Sequence, residues 1–216
     1  MVEARTRMPV EARRAQLLEL GFGLFSERPF SDVSVDEIAD RAGISKGLLY
    51  HYFPSKRELY VACVKRAVEQ LHEAVEPDES VPQEQRLAAG LDAFIDYVER
   101  DLKPFRNLLR GGNTDDPEIE SMLSDMRGRM TRRLAAGIGI DAPDPVTLYC
   151  LVGYVGSCTF TCMAWAERGG MDRRALRHIL ADQLRAALRS AATLTEDDGV
   201  RARIEAVEPL LVLEPS

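Results

Sequence analysis

Residues 35–59 read VDEIADRAGISKGLLYHYFPSKREL, and this stretch decides how the N-terminal part of the chain folds. Ser34 precedes it and forms, with Glu37, the pattern of a capping box, which predicts that a helix begins here. Gly43 follows the apolar positions of that helix and can adopt the positive φ that ends it. A short helix is therefore expected over residues 34–42.

A second short helix follows after a tight turn. Ser45 is its predicted N-cap, and Pro54 ends it just beyond Phe53. Leu49 and Phe53 are four residues apart and form its predicted buried face. Two short helices joined by a turn that contains glycine predict a helix-turn-helix, although spacing alone leaves open any other helix pair with such a turn.

The second helix carries the residue types that reading DNA requires. A helix that enters the major groove must be short, exposed on one face and rich in hydrogen-bond donors. Ser45 and Lys46 lie at its N-terminus, where backbone N–H groups can also meet a phosphate. Gly47 permits close approach to DNA, and Tyr50 and His51 project from the exposed face.

Positive charge is concentrated near this motif, although the chain has a formal net charge of −7. No Asp or Glu occurs from Arg41 to Arg57, and Lys46 and Lys56 add to the positive charge. Lys56, at the start of the fourth helix, is placed for a phosphate. A basic strip on an acidic body is typical of a small DNA-contacting surface, but on charge alone a solvated helix face is the simpler interpretation.

The identities of the residues are a more specific signal than the spacing of the helices. The order of residues from 12 to 59, with Gly21-Phe-Gly-Leu-Phe25 and Phe30 ahead of the turn, closely resembles the DNA-binding signature of the TetR family of transcriptional regulators. The resemblance implies phosphate contacts by Ser34, Val35, Tyr50 and Lys56, base contacts by Ser45, Lys46 and Gly47, and base or phosphate contacts by His51 and Tyr52.

Three positions stay open within this resemblance. Leu48 stands where the family often has a smaller or polar residue, so it either touches a thymine methyl group or faces the core. Tyr52 is as well placed to pack as to bind, and His51 can be read as a plain surface histidine.

Helical periodicity extends over almost the whole chain and predicts an all-α fold of about nine helices. The expected order is a helix-turn-helix DNA-binding domain over residues 1–54 and an effector-binding and dimerisation domain over residues 55–216. The helices expected outside the motif cover residues 10–26, 55–75, 83–103, 105–110, 115–136 and 145–168, and a last helix is capped by Asp172 and carries the apolar positions from Leu176 to Leu188. The break before residue 105 is assigned to Pro104. The tail from residue 200 either forms one more helical turn or packs loosely.

The uncharged run of residues 145–166 is long enough to span a bilayer. Its Gly, Ser and Thr residues and its flanks, which lack a one-sided Lys/Arg cluster, favour instead a helix buried on most sides. No export signal is visible near the N-terminus, so no membrane association and a cytoplasmic location are expected. Cys63, Cys150, Cys158 and Cys162 are then expected to be free thiols.

The same helix predicts a homodimer. Because residues 146–165 are apolar nearly all round, one small domain cannot easily cover them, and Gly153, Gly156 and Ser157 allow close approach of another helix. The resemblance likewise implies a four-helix interface made by the last two long helices of each subunit. Two recognition helices would then lie about one DNA turn apart, ~34–36 Å, which matches double-stranded operator DNA with a palindromic site.

A small-molecule effector pocket is expected among the middle helices. Methionine and aromatic side chains make an adaptable apolar wall, which favours a mostly apolar effector, although each of them can equally be plain core. The candidate lining residues are Phe94, Tyr97, Phe105, Leu108, Met122, Met126, Tyr149, Tyr154 and Trp165. The resemblance implies repression with ligand-induced release, and it leaves activation open.

Two rival functions remain at this stage. An enzyme is disfavoured because the sequence has no GxSxG, HExxH or phosphate-binding glycine loop, so no catalytic residue and no cofactor is predicted. Cys158 and Cys162 lie one helical turn apart, but no nearby His or acid completes a metal site. The second rival is a helical adaptor that keeps the helix-turn-helix shape without specific DNA binding.

Overall fold

The structure is a computed structural model, and it describes residues 9–76, 80–110 and 116–211; within these, the side chains of 83, 84, 87, 88, 101–110 and 210 are not described. Over those ranges the chain forms nine α-helices and no strand, so the all-α prediction is confirmed. The α-helices are α1 Val10–Glu27, α2 Val35–Ala42, α3 Lys46–Tyr52, α4 Lys56–Ala74, α5 Gln83–Arg110, α6 Pro117–Gly137, α7 Pro145–Arg168, α8 Arg173–Leu194 and α9 Asp198–Val207. Two 3-10 turns cover Phe30–Asp32 and Glu208–Leu211.

The helices group into two compact units. The first contains Met1–Glu69 with Lys103–Ser121, and the second contains Gln70–Leu102 with Met122–Ser216. The functional boundary predicted after residue 54 stays a prediction.

The turn of the first unit is built from local hydrogen bonds, as its sequence predicts. The Ser34 hydroxyl oxygen accepts from the Glu37 N–H at 3.0 Å, and the Ser45 hydroxyl oxygen accepts from the Leu48 N–H at 3.2 Å. Between the two helices Gly43 has φ 64°, a left-handed conformation that a side chain would strain. The orientation of α3 therefore follows from two caps and one glycine.

The core of the first unit fixes the position of this motif. Its buried apolar side chains come from each of the first four helices: Leu17, Leu24, Phe25, Ile38, Leu49, Phe53, Leu59 and Tyr60. Helices α1 and α4 pack closely at Gly21, where a Cβ atom would lie 3.2 Å from the Leu59 side chain. The rings of Phe25 and Tyr60 meet edge to face, with centroids 5.0 Å apart.

The predicted break at Pro104 is wrong. Helix α5 runs without interruption from Gln83 to Arg110 and includes Pro104. Proline removes one backbone donor and costs about 3 kcal/mol inside a helix. A long helix with a buried stripe can carry that cost, and α5 buries Leu91, Ile95 and Val98.

The second unit is built around α7 and α8. Asp144 caps α7, accepting from the Val146 N–H at 3.0 Å, and Asp172 caps α8, accepting from the Ala175 N–H at 2.7 Å. The buried stripe of α8 is Leu176, Leu180, Leu184 and Leu188. It packs in one cluster with α5, α7 and α9 side chains.

Helix α7 is less buried than its sequence predicts. By length and composition it could cross a membrane, with a mean hydropathy of 1.5, yet only 39% of that window is buried. One side carries buried Leu151, Tyr154 and Cys158. The opposite side exposes apolar groups, among them Tyr149 at 75% and Phe160 at 70%. A single chain therefore leaves one face of α7 open, and the homodimer prediction assigns the covering of that face to a second subunit.

The described part of the C-terminal tail, which ends at residue 211, is packed. Helix α9 buries Val200 and Ile204 against the second unit, and the following 3-10 turn buries Leu211. Glu208 anchors this turn to α8, where it accepts from Arg185 Nε at 3.0 Å and from Arg189 Nη2 at 2.7 Å.

Candidate nucleic-acid interface

Helix α3 divides its side chains between core and solvent. Leu49 is fully buried and Phe53, its C-cap, is 2% exposed, whereas Leu48 is 40% and Tyr50 is 39% exposed. Leu48 therefore does not face the core, and its contact with a thymine methyl group stays a prediction. A Cβ atom built on Gly47 would meet no atom within 4 Å, so the first turn of α3 opens to solvent.

Lys46 is held by a partner that the sequence did not point to. Its Nζ donates to Asp36 Oδ2 of α2 at 2.9 Å, with both side chains largely exposed. The hydrogen bond to Asp36 raises the pKa of Lys46, so the amine is charged at neutral pH. An exposed pair of this kind is weak, and a phosphate or base edge can replace Asp36 at little cost.

The rest of the predicted basic strip is also engaged. Arg41 pairs with Glu37 at 3.1 Å, and Arg57 binds both oxygens of Asp116 at 2.6 and 2.7 Å. Asp116 is buried and also accepts from the Glu118 N–H, so the pair joins the starts of α4 and α6 within the first unit. Arg57 therefore has a structural role, and the positive charge of the strip is largely balanced by neighbours.

Lys56 projects over an aromatic ring. Its Nζ lies 4.2 Å from the centroid of Phe30, a cation–π arrangement. Desolvation lowers its pKa, partly opposed by Asp32. The ring fixes the amine at the start of α4, next to the C-terminal end of α3.

The remaining predicted DNA contacts differ in what they can offer. Ser34 and Ser45 are exposed, and each keeps a hydroxyl hydrogen to donate. The side chain of Val35 is 8% exposed, so its contact with a phosphate would come from its backbone N–H. His51 is exposed and Tyr52 half-buried, their rings edge to face with centroids 5.5 Å apart.

The predicted effector-pocket residues fall into four groups. Tyr97, Met126 and Tyr154 are buried, and Phe94, Met122 and Trp165 are half-buried. Tyr149 lies on the exposed face of α7, so the structure does not bring it together with the buried ones. Phe105 and Leu108 belong to the part of α5 whose side chains are not described. The Trp165 indole N–H is satisfied by the Met171 carbonyl oxygen at 2.7 Å. The pocket as a whole stays a prediction.

No group of three or more His, Cys, Asp or Glu residues that could hold a metal ion occurs in the described ranges. The four cysteines are free thiols. Burial raises the pKa of Cys158 to about 11 and that of Cys162 to about 12, and it raises the pKa of Cys63 as well.

These thiols are expected to be chemically inert in the folded protein. At pH 8 a thiol of pKa about 11 is roughly one part in a thousand thiolate, and the thiolate is the reactive form. Modification of Cys63, Cys158 and Cys162 by a disulfide reagent should therefore be at least about 100-fold slower in buffer than in guanidinium chloride. Peptide mapping after timed labelling gives the rate at each cysteine. Equal rates with and without denaturant at Cys158 would contradict the expectation.

Comparison with known proteins shows which family this chain resembles in sequence and fold. The sequence profile for bacterial regulatory proteins of the tetR family matches residues 17–63, and the profile for a tetracyclin repressor-like C-terminal domain matches residues 83–187. A solved TetR-family transcriptional regulator from Streptomyces coelicolor aligns with a TM-score of 0.79 and 27% identity, over 93% of this chain and 90% of that one.

Curated relatives match over shorter stretches. The transcriptional activator FasR of Mycolicibacterium smegmatis is 36% identical over 119 residues, 54% of each chain. The transcriptional repressor KstR2 of Mycobacterium tuberculosis is 50% identical over 50 residues, 23% of this chain and 25% of that protein. The aligned part thus spans about half of FasR and a quarter of KstR2.

The capped turn, the buried and exposed faces of α3 and the all-helical second unit define a regulatory protein of the helix-turn-helix class. Profiles for both the N-terminal and the C-terminal parts match, and a solved member aligns over nearly its whole length. The chain belongs to the TetR family of transcriptional regulators. Membership also confirms that the chain is not an enzyme.

Proposed function

We propose that this chain binds a palindromic DNA operator as a homodimer and releases it when a small, mostly apolar effector binds to the second unit. One observation carries the proposal: α3 is anchored by buried Leu49 and Phe53, and its other face is exposed to solvent. The exposed residues are Lys46, Gly47, Leu48, Tyr50 and His51. A short helix with donors and an apolar group on its free face can contact phosphates, base edges and thymine methyl groups.

The homodimer is supported by the open face of α7. Leu148, Tyr149, Val152 and Phe160 are exposed at 37%, 75%, 40% and 70%. They recur at helical spacing, so they lie on one side. Gly153 and Gly156 lie among them, and a Cβ atom on either would meet nothing within 4 Å. An apolar stripe interrupted by glycines suits close packing of a second copy.

The effector can alternatively activate DNA binding or transcription instead of releasing the operator. The activator FasR matches this chain over 54% of its length, and the repressor KstR2 matches it over 23%. Ligand-dependent activation is therefore the alternative to ligand-induced release. In either case a ligand acts only through its different affinity for two conformations. A regulator of this kind works in the cytoplasm, where its operator lies.

Selection of bound sequences from random duplexes tests the DNA-binding part. We expect a two-fold symmetric site whose half-sites are about one DNA turn apart. Binding to it should survive a salt concentration at which binding to unrelated duplexes is lost. Enrichment of no sequence would show that the chain is a helical adaptor and would overturn the proposal.

The pairing of Lys46 with Asp36 gives a matched pair of charge variants. Lys46→Ala should weaken operator binding and lower the slope of log affinity against log salt by about two, because each of the two subunits loses one cationic contact with the DNA. Asp36→Asn should increase affinity for unrelated duplexes about 3- to 10-fold, since it removes a negative charge and frees Lys46. Fluorescence anisotropy titrations at several salt concentrations measure both.

Asp40→Asn is the control for the second variant. It makes the same change of charge on α2 at an exposed residue that does not hold Lys46. Equal effects of Asp36→Asn and Asp40→Asn would show that net charge alone is responsible and that the ion pair has no special role.

A further inference from the structure

His72 lies in the last turn of α4 and is buried, with 5% of its surface exposed. In the described part of the chain neither Nδ1 nor Nε2 has a hydrogen-bond partner. Buried polar side chains nearly always have one, because an unpaired group has lost water and gained nothing in return. An imidazole that is buried without a partner therefore requires a reason.

The surroundings of His72 are positively charged. Arg133 of α6 donates to the His72 carbonyl oxygen at 3.1 Å and also pairs with Glu76. Burial, followed by the charges of Arg129 and Arg133, lowers the pKa of His72, while Glu76 opposes this. The imidazole is thus neutral at pH 7 and presents one N–H donor and one acceptor nitrogen. Two cations nearby and one carboxylate leave a positive potential at the ring.

We propose that His72 is a recognition point for the effector and that its imidazole N–H donates to a carboxylate on an otherwise apolar molecule. This rests on the effector response proposed above and adds the chemical class of the ligand. A carboxylate supplies the missing acceptor and is attracted by Arg129 and Arg133, whereas an amine would be repelled. The apolar body of the ligand is taken from the proposed function, in which the effector binds to a unit rich in buried apolar and aromatic side chains.

Replacement of such a group should change two properties in opposite directions: the stability of the free protein and its affinity for the carboxylate ligand. His72→Phe keeps the approximate shape of the side chain and removes the unpaired nitrogens. The free protein should therefore unfold at the same temperature or higher, while its affinity for a carboxylate falls at least tenfold. A merely structural histidine would behave differently, since its replacement would lower the melting temperature and leave ligand binding intact. His178→Phe on α8 is the matched control.

The experiment uses the full chain and three pairs of probes. Each pair is a carboxylic acid and the corresponding alcohol with the same tail: decanoate and decanol, 4-phenylbutyrate and 4-phenylbutanol, 2-naphthoate and 2-naphthol. Calorimetry measures binding to wild type, His72→Phe and His178→Phe. We expect wild type to prefer at least one acid to its alcohol at least tenfold, and His72→Phe to lose that preference. Absence of any preference in wild type, or the same preference in His72→Phe, would overturn the inference.

Operator binding by the ligand-free proteins separates this inference from the proposed function. Wild type and His72→Phe should bind the selected duplex equally, because His72 is not among the DNA-contacting residues. If neither protein binds any duplex, the proposed function fails. If both bind the duplex and no acid is preferred, only the role of His72 fails.

Discussion

Replacing Gly47 by leucine is expected to abolish operator binding and to leave the free protein at least as stable as wild type. A Cβ atom at this position meets no atom within 4 Å, so the new side chain has room in the free protein. Leucine also favours a helix over glycine by up to about 1 kcal/mol, although less in the first turn. In the proposed complex the same side chain would occupy the space where α3 approaches the DNA. We therefore expect at least a 100-fold loss of operator affinity.

Anisotropy titration with the selected duplex and thermal unfolding measure the two effects. Gly23→Leu is the matched control, because Gly23 is an exposed helical glycine of α1 with equally open space around it. It should show a similar gain in stability and wild-type affinity for DNA. Tight binding by folded Gly47→Leu would mean that the first turn of α3 does not approach the duplex, and the proposed interface would be wrong.

Phe160→Arg is expected to convert the protein into a monomer and to reduce operator affinity at least 100-fold. Phe160 is 70% exposed in the single chain, so its replacement should cost the fold of one subunit little. In a symmetric dimer every substitution occurs twice, and two arginines would be buried in an apolar interface without partners. A monomer contacts one half-site at a time and loses the gain in effective concentration that a linked second contact brings.

Sedimentation or light scattering gives the oligomeric state, and circular dichroism shows whether the variant is folded. Val10→Arg introduces the same charge at another exposed apolar residue, 62% exposed on α1, and should remain a dimer. A Phe160→Arg protein that still sediments as a dimer would place the subunit interface elsewhere. The proposed operator geometry would then have to be revised.

The candidate DNA interface was predictable wherever it depends on neighbours in sequence. Caps at Ser34 and Ser45 and the left-handed Gly43 are local features, in which a side chain bonds to a backbone group three residues on or a single residue ends a helix. The burial of Leu49 follows from helical spacing in the same way. Such features need no knowledge of distant contacts.

Contacts between helices were not predictable. Asp36 and Lys46 stand on different helices and meet only because the Gly43 turn brings α2 and α3 together. Arg57 was expected to add to the basic strip, yet it binds Asp116, a residue far away in sequence. A count of charges along the chain records how many basic residues there are and cannot record which of them are already paired.

By itself, the sequence determined the all-helical fold, the capped turn and the family, because helix periodicity, caps and an ordered motif are properties of nearby residues. Tertiary structure alone decided that α5 continues through Pro104, that α7 leaves one apolar face open and that His72 is enclosed without a hydrogen-bond partner among the described residues. The physical reason is the same in each case. Whether a proline is tolerated, an apolar face covered or a polar atom satisfied depends on which distant groups packing brings into contact, and local propensity carries no record of them.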